Sequence, residues 1–271
     1  MGGVYAVAGG KGGVGKTTTA INLGVVLGRT AEQAVVVDAD LAMPDVGRRL
    51  NLDRERGLHG VLAGETPVRD AVVDGPAGLS VIPGERDLTA FADADPARLR
   101  KVLDLLSVAY DVVLVDTGPG LQDETVIAYQ EADGVVPVAT PESGAVADAN
   151  RTAGLAADVG AEPIGTVLTH GEGREAREAA ERLGDYLLAV VPPHETGGPV
   201  AAVSPDHAAA EAYRTVAAAL PAVDGATIAP RDERPLDPEA VADAIVDAEA
   251  DRDGSDDEDG EAADADGTVA S

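Results

Sequence analysis

Short apolar runs alternate with amphipathic stretches over residues 1–221. The apolar runs predict buried strands at 4–9, 34–38, 78–84, 111–116, 133–140, 162–170 and 186–192. The stretches between them predict helices at 16–29, 96–110, 143–158, 173–183 and 205–220. Helical spacing is clearest in the second of these, where Leu99, Val102, Leu103 and Leu106 share one face. The alternation predicts an α/β fold with a doubly wound, mostly parallel sheet and helices on both faces.

The alternating pattern ends near residue 222, where Pro, Asp, Ala and Gly become frequent. We therefore predict one domain over residues 1–221 and an acidic tail over residues 222–271. Residues 237–250 have the composition of one short helix. The rest of the tail is too charged and too poor in apolar residues to form a core, which predicts disorder.

Charge changes this picture, because the acidic excess is not confined to the tail. The formal net charge is −29, yet residues 231–271 hold only 16 of the 49 acidic residues. Three lysines stand against 17 arginines. Many carboxylates with few lysines predict a protein from an extreme halophile, since molar salt screens such a surface within about 3 Å. An ordinary acidic protein is the alternative.

Several function classes are excluded by composition. The sequence has no cysteine, which excludes disulfides, thiolate metal sites, sulfur-ligated iron–sulfur clusters and a cysteine nucleophile. No apolar run approaches the roughly 20 residues of a membrane span. The first ten residues lack the charged start and apolar core of a secretion signal. We expect a cytoplasmic protein, recruited to a pole or membrane only through a partner.

A glycine-rich loop, GKGGVGKT at residues 10–17, lies between the first predicted strand and the first predicted helix. It fits the pattern G-x-x-x-x-G-K-[ST], in which backbone N–H groups and a helix N-terminus hold phosphates. Lys16 is then expected beside the β- and γ-phosphates, and Thr17 as a ligand of Mg²⁺. The residues expected to surround the phosphates are Gly10, Gly12, Gly13, Val14, Gly15, Lys16, Thr17 and Thr18.

The same loop also satisfies a dinucleotide-binding pattern, G-x-G-x-x-G, with Asp38 at the end of the next strand. Two features favour a nucleoside triphosphate instead. Lys16 and Thr17 directly follow the last glycine, as a triphosphate–magnesium site requires. Asp116 then supplies a second carboxylate at a strand end.

The eight residues KGGVGKTT resemble the deviant phosphate loop of the MinD/ParA family of ATPases. The resemblance gives a role to Lys11, which a phosphate loop of the ordinary kind does not need. In the family this lysine reaches across a dimer interface to the phosphates of the partner subunit, where a second cation stabilises developing charge. The resemblance also implies ATP and Mg²⁺ as cofactors and an ATP-dependent homodimer.

Further blocks of the chain resemble the same family in the same order. VVDADLAMPDVG at 36–47 is similar to the first switch, which implies that Asp40 orients the attacking water and Asp38 supports the magnesium shell. VDTGPG at 115–120 is similar to the second switch, with Asp116 at the metal and Gly118 by the phosphates. The segments 57–84, 138–143 and 204–217 also match, the first of them resembling the MinD branch specifically.

Two features depart from the family pattern. His170 stands where the family commonly has an asparagine that contacts adenine, and it is either a base contact or a loop histidine. Adenine is favoured because no N/T-K-x-D guanine motif occurs. The C-terminus is acidic rather than basic and amphipathic, which argues against direct membrane binding there. His59, His194 and His207 show no metal-ligand spacing and are expected on loops or the surface.

Three functions remain open at this point. The first is a MinD-like ATPase that positions cellular machinery through an unidentified activator or cargo adaptor. The second is a ParA-type DNA segregation ATPase, although a strongly acidic body argues against direct DNA binding. The third is a nucleotide-sensing scaffold with negligible hydrolysis. Paired arginines, such as Arg48 with Arg49 and Arg54 with Arg56, form either a partner patch or a solvated face.

Overall fold

The computed structural model describes residues 1–30, 33–52 and 56–223. The strands are β1 (Gly3–Ala8), β2 (Ala34–Ala39), β3 (Val73–Asp74), β4 (Ser80–Ile82), β5 (Val112–Thr117), β6 (Gly134–Ala139), β7 (Glu162–Pro163), β8 (Thr166–Thr169) and β9 (Leu187–Val191). The helices are α1 (Lys16–Gly28), α2 (Val46–Arg49), α3 (Leu58–Ala63), α4 (Val68–Ala71), α5 (Leu88–Asp93), α6 (Leu99–Ala109), α7 (Asp123–Glu131), α8 (Ser143–Asp158), α9 (Gly173–Leu183), α10 (Val200–Val203) and α11 (Ala208–Ala218).

The strands form one sheet in the order β3-β4-β2-β5-β1-β6-β8-β9, with the short β7 beside β6. Neighbouring strands run parallel except for β3, which pairs antiparallel with β4 at the edge. The mostly parallel α/β sheet expected from the sequence is therefore confirmed. Because β1 lies centrally between β5 and β6, the loop that follows it emerges at the middle of the carboxyl edge.

Two hydrophobic cores cover the two faces of this sheet. Successive residues of β1 alternate between them: Tyr5 and Val7 enter one core, Val4 and Ala6 the other. Helices α1, α8, α9 and α11 fill the first core, and α3, α6 and α7 fill the second. With aromatics at only 2 % of residues, both cores consist mainly of Val, Ala and Leu.

The structure corrects some of the expected boundaries. The strand expected at 78–84 is limited to β4, because a 3₁₀ turn over Pro76–Gly78 precedes it. The strand expected at 162–170 is divided into β7 and β8 at Gly165, whose φ of 140° breaks the extended backbone. Helix α7 and several one-turn helices were not predicted, because no clear apolar periodicity marks them in the sequence. No helix of the described chain has the length and apolar character needed to cross a membrane. Beyond residue 223 the tail, with its expected helix at 237–250, lies outside the described residues.

Candidate functional site

The glycine-rich loop joins β1 to α1 at the carboxyl edge of the sheet. Gly13 and Gly15 adopt left-handed φ values of 81° and 95°, which a side chain disfavours. Gly15 is the N-cap of α1, so the N-terminal N–H groups of the helix face the loop. The ammonium of Lys16 is held back over the loop by the carbonyl oxygen of Lys11, at 3.2 Å. Burial lowers the pKa of Lys16, while Asp116 and Asp40 raise it.

Thr169, at the end of β8, anchors this loop. Its hydroxyl lies 2.7 Å from the carbonyl oxygen of Val14 and 3.1 Å from that of Ala139, so one proton serves both acceptors. A Cβ added to Gly15 would lie 3.1 Å from the Thr169 methyl group. The loop conformation therefore depends on a residue 155 positions away in sequence. Sequence reasoning missed Thr169, although it directly precedes His170 at a strand end.

We expect Thr169→Val to lower the free energy of unfolding by about 1–3 kcal/mol, because it leaves the buried Val14 carbonyl without its donor. ATP affinity should fall with it, since the loop loses its anchor. Thr169→Ser keeps the hydroxyl and is the matched control. Denaturant unfolding and calorimetric ATP titration measure the two effects. Equal stability of the two variants would contradict the anchoring role.

Two carboxylates meet beside the loop, because Asp38 of β2 and Asp116 of β5 are register partners in the sheet. Both side chains are buried. One oxygen of Asp38 accepts the N–H groups of Asp45 and Val46, at 3.0 and 2.9 Å. The other oxygen of Asp38 and both oxygens of Asp116 lack a well-formed hydrogen bond. Such orphaned carboxylate oxygens indicate a place for a cation or its water shell.

Burial is the main cause of the raised pKa values of these two carboxyl groups. It raises the pKa of Asp116 from 3.8 to about 7, against the lowering effects of the Thr17 hydroxyl and the Lys16 ammonium. Burial also raises the pKa of Asp38 well above its ordinary range, and the neighbouring Asp116 carboxyl raises it further. A bound cation would favour the ionised form of both groups.

This shift predicts a pH-dependent stability of the nucleotide-free protein. An unfolded chain releases the Asp116 proton near pH 3.8, whereas the folded chain keeps it until about pH 7. The stability of the wild type relative to Asp116→Asn should therefore fall as pH rises between these two values and stay level above them. Thermal unfolding of both proteins without Mg²⁺ or nucleotide measures the difference. A difference that does not change with pH would contradict the shift.

The donor set suits magnesium held by a nucleotide. The described residues contain no group of three or more His, Asp or Glu side chains able to cage a metal alone. Mg²⁺ does not need one, because it keeps several waters and binds substrate phosphates with one or two protein oxygens. The Thr17 hydroxyl and the Asp38 and Asp116 carboxylates are such oxygens. The expected residues therefore fit the ion.

Asp40 lies one position beyond the end of β2, where two loops approach each other. Its Oδ1 accepts the N–H of Met43 at 3.1 Å. A Cβ added to Gly118 would lie 3.2 Å from the same oxygen. The two segments expected as switches are thus in contact, with Asp40 facing the second one. Thr17, Thr18, Gly12 and Gly13 line the same open pocket as Asp40.

The ammonium of Lys11 lies beside helix α8. Its side chain is 48 % exposed, and its ammonium lies 3.5 Å from a carboxylate oxygen of Asp148 on α8. Gly10 packs against Asp148 as well, because a Cβ there would come within 2.8 Å of the Asp148 Cβ. Lys11 is therefore available at the surface while Lys16 is enclosed.

A cluster of three arginines lies at the rim of the pocket, and the sequence indicated only its pair at 48–49. Arg48, Arg49 and Arg86 all bond the carboxylate of Asp45. The hydrogen bond from Arg48 is the main cause that lowers the pKa of Asp45. Arg49 also donates to the hydroxyl of Thr18 at 3.2 Å. The pair at 48–49 therefore belongs to the pocket, and Arg54 lies outside the described residues.

The histidines differ from the expectation in one case. His59 is fully buried in α3, so its expected loop or surface position is wrong. His170 follows β8 with a left-handed φ of 52° and lines the pocket with His194. Burial lowers the pKa of the half-buried His194. His207 caps α11 by accepting the N–H of Ala209.

Proteins that are similar to this chain include ATP-binding proteins, in agreement with the geometry of the site. Residues 2–151 match the family model described as an AAA domain. An uncharacterized ATP-binding protein of Methanocaldococcus jannaschii is 33 % identical over 227 residues, covering 79 % of this chain and 86 % of that protein. The chromosome partitioning protein ParA of Caulobacter vibrioides is 40 % identical over 144 residues, covering 49 % of this chain and 54 % of that protein.

A solved structure is similar over almost its whole length. The septum site-determining protein MinD of Pyrococcus horikoshii, complexed with Mg-ADP, superposes with a TM-score of 0.74 at 28 % identity. The match covers 80 % of this chain and 95 % of that one.

A phosphate loop at the central strand of a parallel sheet, with carboxylates at the ends of its neighbours, defines the P-loop nucleoside triphosphatases as the class. The deviant loop and the relatives narrow the class further. The chain belongs to the MinD/ParA family of P-loop ATPases.

Proposed function

We propose that this protein is a MinD-like ATPase whose dimerisation with ATP organises cellular machinery. The observation that carries the proposal is the pair of lysines in one loop, Lys16 enclosed over the loop and Lys11 exposed at its edge. The Mg-ADP complex of the similar MinD supports ATP and Mg²⁺ as cofactors. Division-site placement and the positioning of motility or chemosensory assemblies all fit such a switch.

The proposed roles follow from position in the site. The N–H groups of residues 10–18 hold the phosphates, and Lys16 neutralises the β- and γ-phosphate charge. Thr17 ligates Mg²⁺, which supplies charge neutralisation and alignment of the phosphates. Asp38 and Asp116 fix the water shell of the ion. Catalysis of this kind consists of positioning and electrostatic stabilisation, with little covalent work for the protein.

Asp40 and Lys11 are proposed to act on the step of hydrolysis. Asp40 lies between the two switches and orients the attacking water. Lys11 leaves Asp148 and reaches the phosphates of a second subunit, so two chains complete each other's sites. Gly118 contacts the γ-phosphate region, and His170 lies on the side of the pocket where the base binds. An activator or cargo adaptor then recognises the ATP-bound dimer.

The test is the solution mass of Asp40→Ala in molar KCl, measured by light scattering with ATP·Mg²⁺ and with ADP. Asp40→Ala is used because blocked hydrolysis keeps the ATP state populated. A dimer with ATP and a monomer with ADP are expected, together with slow phosphate release by the wild type. A monomer in both states would overturn the dimer mechanism. Normal ATP binding without any phosphate release by the wild type would favour the nucleotide-sensing scaffold.

A ParA-type role in DNA segregation is the second candidate, because ParA of C. vibrioides is a relative at 40 % identity. The cluster of Arg48, Arg49 and Arg86 offers a local basic patch, although Asp45 neutralises part of it. Most non-specific DNA affinity comes from phosphate neutralisation, which a body rich in carboxylates opposes. Retention of DNA by the ATP-bound protein, lost with ADP at the same salt, would favour this candidate.

A further inference from the structure

The buried His59 connects two loops of the site. Its Nε2 lies 2.9 Å from the carbonyl oxygen of Leu41, and its Nδ1 lies 3.0 Å from the backbone nitrogen of Glu85. Leu41 directly follows Asp40, and Glu85 follows β4, the strand paired with β2. The ring therefore bridges the segments that leave two adjacent strands at the carboxyl edge.

The chemistry of these partners fixes the tautomer. The N–H of Glu85 can only donate, so Nδ1 of His59 carries no proton and accepts. The neutral ring then has its proton on Nε2, which donates to the Leu41 carbonyl. Neither nitrogen is free for another partner, and the side chain has no exposed surface.

Several hydrogen bonds join the helix that carries His59 to the loop after β4. One carboxylate oxygen of Glu85 accepts the N–H groups of Gly57 and Gly60 at the start of α3, at 2.7 and 3.0 Å. The N–H of Leu58 donates to the carbonyl of Pro83 at 2.8 Å. Helix α3 is thus fixed to the loop after β4, and His59 extends from this fixed helix to the backbone beyond Asp40.

The segment beyond Asp40 needs such a support. Residues 41–45 are not part of any helix or strand, yet two N–H groups there, and a third at the start of α2, bond the site carboxylates. Met43 donates to Asp40, and Asp45 and Val46 donate to Asp38. A displacement of the Leu41 peptide would therefore disturb both Asp40 and the N–H groups that bond the two carboxylates.

We propose that His59 is a positioning residue for ATP hydrolysis, which holds the Leu41 carbonyl and thereby fixes the backbone that aims Asp40. The inference rests on the proposed function, since it assumes that Asp40 orients the attacking water. The ring of His59 is buried and is not among the residues that line the pocket, so it acts through the peptide of Leu41.

The test compares two variants that each keep one of the two hydrogen bonds of His59 and lose the other. His59→Gln places an amide donor near the position of Nε2 and keeps the bond to Leu41. His59→Asn places a carbonyl near the position of Nδ1, keeps the bond to Glu85 and loses the donor. Both introduce a buried amide, so their costs in stability are matched. The readouts are kcat and KM for ATP, the ATP dissociation constant, and hydrogen exchange of the Met43, Asp45 and Val46 amides without nucleotide.

We expect His59→Asn to lower kcat by about 10- to 100-fold with little change in ATP affinity, because small misplacements of a catalytic group cost this much. Its three amides should exchange faster than in the wild type. His59→Gln should restore both kcat and slow exchange. Equal loss in the two variants, or wild-type behaviour in both, would overturn the inference.

Hydrogen exchange of these three amides distinguishes a failure of this inference from a failure of the proposed function. If the wild type releases no phosphate, the proposed function fails, while faster exchange in His59→Asn alone would still support the hold on Leu41. If neither variant folds, ring ¹⁵N spectra of the wild type decide the matter. A proton on Nδ1 of His59 would overturn the inference, and a proton on Nε2 coupled to the Leu41 carbonyl would support it.

Discussion

Lys16→Ala is expected to weaken ATP binding by about 10- to 150-fold, because a hydrogen bond to a charged group contributes about 1.5–3 kcal/mol. The ammonium is enclosed over the loop, where solvent screens it little. Calorimetric titration with ATP·Mg²⁺ measures the loss.

The chain offers a matched control for this variant, since Lys101 is one of only three lysines and lies exposed on α6. Lys101→Ala should bind ATP as the wild type does. Thermal unfolding of both variants excludes a folding defect as the cause. Unchanged affinity in Lys16→Ala would show that phosphate binding does not occur at this loop.

Lys11→Ala is expected to bind ATP within about threefold of the wild type, because the side chain is exposed and faces Asp148. Dimerisation with ATP should nevertheless be lost, and turnover should fall about 1,000-fold or more, as when a cation supplied in trans is removed. Light scattering and phosphate release measure the two effects.

Asp148→Asn is the matched control for Lys11→Ala, since it removes the ion pair and keeps the lysine. This variant should still form the dimer with ATP. Loss of the dimer in both variants would indicate that the ion pair shapes the loop. Full turnover in Lys11→Ala would show that the second lysine has no part in hydrolysis.

The sequence predicted the parts of the site that depend on local order. The glycine loop and the strand ends at Asp38 and Asp116 follow from spacing, because parallel strands bring their carboxyl ends to one edge. Asp38 and Asp116 lie directly opposite each other in the β2–β5 pairing. This alignment depends on how the two strands pair, and the sequence of either strand alone does not predict it.

The residues that sequence reasoning missed are fixed by distant backbone groups. Thr169 meets Val14 only because β6 lies between β1 and β8 in the sheet. The lack of metal-ligand spacing among the histidines predicted a loop or surface position for His59, whereas the residue lies buried in α3. Its two partners lie 18 and 26 residues away in sequence, and only the folded chain brings them to the ring.

The described chain ends beside the amino end of β1, where the N–H of Ala222 donates to the Tyr5 hydroxyl at 2.7 Å. The nucleotide pocket lies at the other end of the same strand, whose six residues span about 20 Å. A fluorophore or affinity handle attached near residue 223 would therefore sit at the opposite edge of the sheet from the nucleotide pocket. Reporters placed there would test the proposed assembly of two subunits while staying away from the nucleotide pocket.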